Sequence, residues 1–425
     1  MTAEASADES AAFTDAEREE VRAAGERAAA AAREIRRAPD EAVDAALRAA
    51  AHLLSRQSGP VLAANATDLQ AAERAGISAG LLDRLRLDSG RIDAMVAQLQ
   101  ALVATPKPPV ERLIRELPDG GQVYERRVPV GVVGAIFEAR PNVPIDLASQ
   151  VLTARSAAVL RTGSAALVTS AALVDSVLAP ALAEADLPTD AVQLLRSGGH
   201  GTAEALLTQP GLIPLVVVRG SGPVTAHLSR VGAAHGVQVL SHADGGGVLY
   251  LHPAADPAAV DRLIGESLDR LGVCNRLNLL LLDADLPTAV ADRARATLAA
   301  LGVTLSEPPY AHPLGYEWAL DADAEATVTV ATVTGPADAA ALADRETSGL
   351  AATICTEDPV AAEEFLAAYT GTGALWNVST RIIDGYKLLG LPETGINVDH
   401  GLGPRGPVTF PDLGMRQFVV RPARR

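Results

Sequence analysis

The sequence predicts an α/β fold built on parallel sheets and divided into two blocks. Short segments rich in Val and Leu alternate with helical segments, and turns that contain Gly separate them. The 425 residues are 48% hydrophobic but only 3% aromatic, so the core must consist mainly of Ala, Val and Leu, which suits buried parallel strands. At roughly 150 residues per domain, this length corresponds to two or three domains.

The first part of the chain has the pattern of a helical layer. Residues 1–14 are acidic and rich in small residues, and we expect them to be disordered. From about Asp15 to Thr105, apolar residues recur at helical spacing, and one helix begins at Asp40 with acidic residues in its first turn. The prolines between residues 106 and 109 end this layer.

The middle of the chain alternates strands with helices. Strands are expected at Val128–Ile136, Ala157–Leu160, Val192–Leu195, Leu215–Val218 and Val237–Leu240. Helices are expected at Pro144–Ala154, at about Ala165–Glu184, and after the turns at 197–199 and 219–222. This repetition predicts right-handed βαβ units and a parallel sheet.

A second alternating block begins after Gly247. Its strands are expected at Val248–Leu251, Leu279–Leu282, Val328–Val330, Ala351–Ile354 and Leu375–Asn377. Its helices are expected at Asp256–Leu271, Thr288–Ala300, Ala337–Asp344 and Val360–Ala368. These elements predict a second α/β domain. The tail from Gly390 is rich in Gly and Pro and contains a strand-like segment at Gln417–Val420.

The composition and the motifs exclude several classes of function. The formal net charge of −16 repels phosphate backbones, which argues against nucleic-acid binding. The first 20 residues lack the basic and apolar regions of a signal peptide, and no apolar run approaches the roughly 20 residues of a membrane helix. The eight histidines form no HExxH pattern and no paired Cys/His spacing, so we expect no metal site. The cell interior is the expected location.

The two cysteines differ in their surroundings. Cys274 lies in a loop with Gly272, between a helix end and a buried strand. It is interpreted either as a small buried hydrophobe or as an accessible thiol that reacts as a thiolate. Cys355 ends an Ala/Ile strand and better fits the buried interpretation.

Polar side chains follow the predicted strand ends, where α/β proteins bind ligands. Asn142 either donates an N–H to a developing oxyanion or belongs to a Pro-Asn turn. Glu138 and Arg140 are either site residues or a solvated charge pair. The turn Thr162-Gly163-Ser164 either binds the phosphates of a dinucleotide or is an ordinary Gly loop. Arg381 is either a clamp for a carboxylate or phosphate, or a surface arginine.

Several motifs, in their order along the chain, resemble those of the γ-glutamyl phosphate reductases, a family of the aldehyde dehydrogenase superfamily. The match runs from about residue 20 to residue 420, and its most specific part is the run from Arg127 to Val143. The other matching motifs are Leu62-Ala63-Ala64-Asn65 with Asp68-Leu69, Leu81-Leu82-Asp83-Arg84-Leu85, His242-Ala243-Asp244-Gly245, Cys274-Asn275, Asn377 to Arg381, and Arg405-Gly406-Pro407.

This resemblance implies a reaction and a set of site residues. The reaction is the NADPH-dependent reduction of L-glutamyl 5-phosphate to L-glutamate 5-semialdehyde, with release of phosphate, in proline biosynthesis. Cys274 would be the nucleophile that forms a thioester, and Asn142 with the backbone N–H of Cys274 would form the oxyanion hole. The implied substrate-binding residues are Glu138, Arg140, Asn275, Ser379, Thr380 and Arg381. The implied cofactor-binding residues are Arg161, Thr162, Gly163, Ser164, Gly220, Ser221 and Glu393, the last at the nicotinamide ribose.

The chain departs from the family pattern around the implied site. Ser164 stands where the family usually has a Lys, which weakens the case for the 2′-phosphate of NADPH and leaves NADH open, although Arg161 is a substitute cation. Arg276 to Leu279 replaces an Ala-x-Glu-Thr pattern. The Glu that activates water in acid-forming aldehyde dehydrogenases is absent from His242 to Gly247, which favours acyl-phosphate or thioester chemistry. A Cys-His pair and a His-Ser-Glu stretch are replaced by Gly247-Val248 and Leu350-Ala351-Ala352.

These departures leave two alternative functions. One is a reductase of another aminoacyl phosphate or acyl thioester that uses the same mechanism. The other is a non-catalytic dinucleotide-binding paralogue.

The resemblance also implies a domain organisation. A Rossmann-like cofactor domain would span 15–247, an α/β catalytic domain 248–384, and a return segment with an oligomerisation tail 385–425. Residues 119–127 would join the tail after Arg405 in a small strand arm. A homo-oligomer (dimer or tetramer), a cytoplasmic location, a small-molecule acyl phosphate substrate, and no nucleic-acid or membrane partner complete these expectations.

Overall fold

The computed structural model of the chain describes residues 13–77, 79–199, 201–242, 245–321, 323–398 and 404–423. Its contacts divide the chain into two units. Unit 1 comprises Met1–Ser241, Leu391–Gly395 and Thr409–Arg425, and unit 2 comprises His242–Gly390 and Ile396–Val408. The domain bounds at 15–247, 248–384 and 385–425 stay a prediction.

Helices form the beginning of unit 1. They are α1 (Asp15–Ile35), α2 (Asp40–Arg56), α3 (Ser58–Arg74), α4 (Ala79–Leu85) and α5 (Ser89–Ala104). Thr14 caps α1, because its hydroxyl oxygen accepts the N–H of Glu17 at 3.2 Å while the Glu17 carboxylate accepts the N–H of Thr14 at 2.8 Å. The expected disorder is therefore wrong at Thr14, and residues 1–12 lie outside the described residues. The predicted helical layer up to Thr105 is confirmed.

An antiparallel arm follows the helices. Its strands are β1 (Glu111–Glu116), β2 (Gln122–Pro129) and the C-terminal strand Gly414–Arg421. β2 pairs with both of the others, so the predicted pairing of residues 119–127 with the tail is confirmed. The single strand predicted at Val128–Ile136 is wrong. β2 ends at Pro129, which has no N–H to donate, and Gly131 turns the chain with a φ of +104°.

A parallel sheet lies at the centre of unit 1. Its strands are β3 (Val132–Phe137), β4 (Ala157–Thr162), β5 (Val192–Leu194), β6 (Leu215–Arg219) and β7 (Gln238–His242), in the spatial order β5-β4-β3-β6-β7. β3 pairs in parallel with β4 and β6, which confirms the predicted βαβ arrangement. The helices of this part are α6 (Val143–Thr153), α7 (Leu167–Leu173), α8 (Ala179–Glu184), α9 (Gly201–Leu206) and α10 (Gly222–His235). Because the strand order reverses at β3, the carboxyl ends of β3 and β6 flank the crevice where such sheets bind ligands.

The segment Ser164–Glu184 corrects one expectation from the sequence. It is long and apolar enough to cross a membrane, whereas we expected no apolar segment to approach that length. It contains α7 and α8, joined by a π-helical segment at Val174–Leu178, and half of its apolar window is buried inside the fold. A core helix of a globular protein has the same length and composition, so this segment is weak support for a membrane span.

A second parallel sheet forms the centre of unit 2. Its strands are β8 (Gly247–Leu251), β9 (Leu277–Asp283), β10 (Thr304–Ser306), β11 (Thr327–Val333), β12 (Ala351–Cys355) and β13 (Gly373–Trp376), in the order β10-β11-β9-β8-β12-β13. Its helices are α11 (Pro257–Ser267), α12 (Thr288–Ala300), α13 (Gly335–Glu346) and α14 (Pro359–Ala368). Leu249 and Leu251 pack with the core of α11 and α12, whereas Val248 and Tyr250 pack with that of α13 and α14. This alternation places helices on both faces, as predicted for an α/β domain.

Two short strands complete the described part of the chain. β14 (Gly395–Asn397) and β15 (Gly406–Val408) form a two-stranded sheet. The expected helix at Asp256–Leu271 is shorter than predicted, because α11 ends at Ser267 and a loop follows it up to β9. That loop carries Cys274.

Candidate active site

The carboxyl ends of the central strands of unit 1 lie level with one another. Phe137, at the end of β3, is paired with Thr162 at the end of β4 and with Arg219 at the end of β6. The segments that follow carry the predicted residues Glu138 to Asn142, Gly163 and Ser164, and Gly220 and Ser221. The topology therefore brings these residues to one edge of the sheet, where a ligand is expected.

The turns after β4 and β6 leave space at this edge. A Cβ atom at Gly163 would have its nearest neighbour at 3.9 Å, in the side chain of Glu138, and one at Gly220 would have its nearest neighbour at 3.7 Å. Ser221 is the N-cap of α10, which begins at Gly222 and Pro223. Open turns and a helix N-terminus at a strand edge fit the phosphates of a dinucleotide.

Arg161 is buried within unit 1 and already has protein partners. Its Nη2 donates to the carbonyl oxygen of Gly199 at 3.0 Å, and its Nε donates to the hydroxyl of Thr202 at 3.3 Å. Burial lowers the pKa of Arg161, and the negative charges of Glu138 and Glu17 oppose this shift. Arg161 thus holds the loop after β5 in place. This loop contacts the turn after β4, since a Cβ at Gly198 would lie 3.2 Å from the Cα of Ser164.

Asn142 occupies the N-cap position of α6, and its side chain contacts a buried acidic residue. Asn142 Nδ2 donates to Asp146 Oδ2 at 2.5 Å. Burial raises the pKa of Asp146 to about 6, against the lowering effects of Arg219, the Asn142 and Gln98 hydrogen bonds, and Arg140. A carboxylate only accepts hydrogen bonds, so it selects the amide nitrogen of Asn142 rather than its oxygen. Asp146 and Arg219 were not among the residues predicted from the sequence. The spacing of four residues from Asn142 on a helix was the available signal for Asp146, and the strand-end position was the signal for Arg219.

The remaining predicted cofactor residue, Glu393, belongs to unit 1 through the segment Leu391–Gly395. This segment lies far along the chain from the sheet strands but is assigned to the same unit as Arg161 and Ser164. Sequence spacing alone does not indicate such a return of the chain.

The two cysteines have different environments in unit 2. Cys274 is half-buried in the loop between α11 and β9, where it packs against a cluster of buried residues that includes Leu350 and Ile383. Cys355 is fully buried at the end of β12, and burial, with the nearby charges of Asp256 and Glu357, raises its pKa to about 12. The buried interpretation of Cys355 is confirmed, and its high pKa makes it a poor nucleophile at neutral pH.

A run of glycines holds one side of the Cys274 loop. Gly246 N–H donates to the carbonyl oxygen of Cys274 at 2.6 Å, and Gly247 N–H donates to that of Arg276 at 2.7 Å. A Cβ at Gly245 would overlap the carbonyl oxygen, Cα and Cβ of Cys274. Gly245 is therefore required by its close approach to the backbone of Cys274. Residues 243 and 244, part of the stretch that lacks the water-activating Glu, lie outside the described residues.

The other side of the loop contacts the segment after β13. Thr380 Oγ1 donates to the carbonyl oxygen of Asn275 at 2.8 Å, and Asn275 Nδ2 donates to that of Ile383 at 2.8 Å. Arg381 Nη1 donates to Asn275 Oδ1, and Arg381 Nε donates to Asp269 at 2.7 Å. The structure thus brings together the predicted residues Asn275, Thr380 and Arg381 next to Cys274, and it adds Asp269, which no sequence motif indicated.

Further hydrogen bonds fix this region. The hydroxyls of Ser379 and Ser267 share a hydrogen bond at 2.9 Å, which ties the segment to the end of α11. Arg276, one of the departures from the family pattern, is fully buried and donates to the carbonyl oxygens of Leu277, Glu325 and Thr327. Burial lowers the pKa of Arg276 to about 10, so it remains protonated at neutral pH. It therefore anchors the start of β9 to the segment before β11.

Within the described residues, no group of three or more His, Cys, Asp or Glu side chains is arranged to hold a metal ion. The polar side chains around the Cys274 loop are amides, hydroxyls, a guanidinium and the carboxylate of Asp269, and they bond to one another and to the backbone.

Comparison with known proteins identifies the family. A family model described as the aldehyde dehydrogenase family matches residues 2–308. The γ-glutamyl phosphate reductase of Sphingopyxis alaskensis is 35% identical over 407 residues, 93% of this chain and 93% of that protein. The γ-glutamyl phosphate reductase of Zymomonas mobilis is 34% identical over 401 residues, 91% of each.

A solved structure has the same fold. The crystal structure of γ-glutamyl phosphate reductase from Thermotoga maritima matches with a TM-score of 0.86 at 24% identity, covering 94% of this chain and 98% of that one. The predicted resemblance is confirmed by these matches along nearly the whole chain. The chain belongs to the aldehyde dehydrogenase family of oxidoreductases and, within it, to the γ-glutamyl phosphate reductases.

Proposed function

We propose that the chain reduces L-glutamyl 5-phosphate to L-glutamate 5-semialdehyde and releases phosphate, a step of proline biosynthesis. The names of relatives that match over more than nine-tenths of the chain support this proposal. The observation that carries it is the loop of Cys274, a half-buried thiol whose flanking peptides are held from two sides. The second thiol, Cys355, is buried and unreactive by its pKa.

The chemistry assigned to Cys274 proceeds through a thioester. The thiolate attacks the acyl carbon, and the bond to phosphate breaks with its electron pair leaving on phosphate. When bound, a nicotinamide cofactor would supply the hydride that reduces the thioester carbon. The oxygen attached to that carbon would then carry the negative charge, and its electron pair would expel the Cys274 thiolate to leave the aldehyde. Asn142 and the backbone N–H of Cys274 are the proposed donors to the oxyanion, and the loss of one such donor typically costs about 3 kcal/mol, or roughly a hundredfold in rate.

We propose that residues at the carboxyl edge of the unit 1 sheet bind the cofactor. The open turns at Gly163 and Gly220 and the N-cap Ser221 support this assignment, and Thr162 and Ser164 complete the turn after β4. Glu393 is the proposed ribose ligand. NADPH is the first candidate by family. NADH is the second, because Ser164 offers no cation and Arg161 is already bonded to Gly199 and Thr202.

Reduction of a different acyl substrate is the competing proposal, and one structural observation favours it. The resemblance implies that Arg140 and Arg381 bind the anionic groups of the substrate, and that Glu138 and Ser379 are further substrate-binding residues. In the structure the guanidinium of Arg381 donates to Asp269 and Asn275. A substrate carboxylate at this point would have to compete with Asp269. Because of this competition, other aminoacyl phosphates and acyl thioesters should be tested alongside L-glutamyl 5-phosphate.

We propose a cytoplasmic homo-oligomer, a dimer or tetramer, assembled through the antiparallel arm. The arm exposes apolar side chains on both its first and last strands, which supports an interface between copies of the chain. These side chains are Leu113, Ile114, Met415, Phe418 and Val420.

The experiment that tests the proposed function is an assay coupled to glutamate kinase. Oxidation of NADPH and of NADH is followed in parallel, together with phosphate release from candidate acyl phosphates. We expect oxidation that depends on L-glutamyl 5-phosphate, its loss in Cys274→Ala, and its retention in the matched variant Cys355→Ala. No oxidation of either cofactor with any acyl phosphate would support the non-catalytic alternative.

A further inference from the structure

The carbonyl groups of the peptides around the proposed nucleophile are held by hydrogen bonds. Each carbonyl oxygen from Cys274 to Arg276 accepts a hydrogen bond: from Gly246 N–H, from Thr380 Oγ1 and from Gly247 N–H, respectively. Among these three donors, Thr380 is the one whose contribution comes from a side chain. The Thr380 hydroxyl is therefore the donor that a side-chain substitution can remove, whereas the other two donors are backbone N–H groups.

The side chain of Asn275 is fixed at both ends of its amide. Its Nδ2 donates to the carbonyl oxygen of Ile383 at 2.8 Å, and its Oδ1 accepts from Arg381 Nη1. A reversed amide would place its NH2 donor against the Arg381 donor and its oxygen against the carbonyl oxygen of Ile383, so these partners determine the orientation. Asn275 is 3% exposed, and a rotation of its side chain would disturb the adjoining peptide of Cys274.

The charge of Arg381 is balanced within the protein. Its Nε donates to Asp269 at 2.7 Å, and its side chain is only 14% exposed. Thr380 is fully buried. A substrate anion at this point would meet the like charge of the Asp269 carboxylate, whereas Thr380 and Arg381 both bond to Asn275 in the loop that carries Cys274.

We propose that Thr380 and Arg381 are positioning residues, which hold Asn275 and through it the peptide of Cys274, instead of contacting the substrate. This inference rests on the proposed function, in which Cys274 is the nucleophile, and it replaces the substrate-binding role that the sequence suggested. In this proposal, the role of Asp269 is to orient Arg381.

The test compares two variants with two matched controls. Arg381→Ala removes the guanidinium, and Thr380→Val removes one hydroxyl while it preserves shape and volume. Thr380→Ser restores the hydroxyl, and Arg345→Ala removes an arginine of the same charge from an exposed pair with Glu346. The rate of alkylation of Cys274 by iodoacetamide is measured across pH without substrate, and kcat and KM are measured with the acyl phosphate.

We expect Arg381→Ala and Thr380→Val to slow alkylation and to lower kcat by about tenfold to a hundredfold, the range in which misplaced catalytic groups lose rate, with KM unchanged. Thr380→Ser should recover most of the rate that Thr380→Val loses, and Arg345→Ala should behave as the parent protein.

A raised KM with unchanged alkylation in Arg381→Ala would overturn the proposal and identify Arg381 as a substrate clamp. Unchanged alkylation in both variants would overturn it as well. Thr380→Val retains a buried side chain of the same size, so it keeps the test decisive if Arg381→Ala fails to fold. Because alkylation needs neither substrate nor cofactor, it reports on positioning even if the chain reduces no acyl phosphate, and the two proposals fail separately.

Discussion

The side-chain amide of Asn142 donates a hydrogen bond to the buried carboxyl group of Asp146, with 2.5 Å between Asn142 Nδ2 and Asp146 Oδ2. Asp146 lies one helical turn further along α6, and the positive charges of Arg219 and Arg140 act on it. This contact uses one N–H of the amide and leaves the second N–H with a defined direction. It provides the structural basis for a role of Asn142 as a fixed hydrogen-bond donor.

The first prediction concerns Asn142. Asn142→Ala should lower kcat by roughly a hundredfold, because a donor to the oxyanion is lost, at a cost of about 3 kcal/mol. Steady-state kinetics measure the effect. The alkylation rate of Cys274 serves as the control and should be unchanged. An unchanged kcat would exclude Asn142 from the oxyanion hole.

The second prediction concerns pH and Asp146. Its pKa in the folded protein is raised from 3.8 to about 6, so between these pH values the folded state binds more protons than the unfolded state. The free energy of unfolding therefore receives a contribution that falls as pH rises from about 4 to about 6, by up to about 3 kcal/mol for two pKa units.

Asp146→Asn removes this contribution. Urea denaturation of both proteins at pH 4.5, within the lower part of this range, and at pH 7, above it, measures the effect. The difference in unfolding free energy, variant minus parent, should be larger at pH 7 by about 2 kcal/mol. An equal difference at both pH values would contradict an ionisable, buried Asp146.

The third prediction concerns the two thiols. At neutral pH iodoacetamide should modify Cys274 and leave Cys355 unmodified, because Cys355 is fully buried with a pKa of about 12. Peptide mapping by mass spectrometry after timed alkylation identifies the site. Alkylation of Cys274 no faster than that of free cysteine would favour the non-catalytic paralogue.

The fourth prediction concerns the glycine run beside Cys274. Gly245→Ala should destabilise unit 2 by about 1–3 kcal/mol, because its Cβ would overlap the peptide of Cys274. The matched control is Gly265→Ala in α11, where a Cβ would meet no atom within 4 Å. This control should stabilise the helix by about 0.5–1 kcal/mol. Urea denaturation measures both, and equal stabilities of the two variants would show that close approach at Gly245 is not limiting.

The periodicity of apolar residues was sufficient to predict most elements of both sheets. β4, β6 and β8 lie where runs of Ala, Val and Leu indicated them, and β12 lies where an Ala/Ile run did, because buried parallel strands consist mainly of apolar residues. The break between β2 and β3 was missed because the other residues from Val128 to Ile136 are apolar, although Pro129 and Gly131 were available signals for it. Motifs in a fixed order were sufficient to identify the family and to select Cys274 over Cys355.

By itself, then, the sequence determined the two-block α/β architecture, the family and the identity of the candidate nucleophile, since these follow from local pattern and from residue order. Only the tertiary structure decided what the polar side chains do. Arg381 is bonded to Asp269 and Asn275, Arg161 to Gly199 and Thr202, and Asn142 to Asp146. Apart from Asn142 and Asp146, these partners are distant along the chain. Hydrogen bonds depend on distances of about 3 Å in space, which sequence separation does not encode.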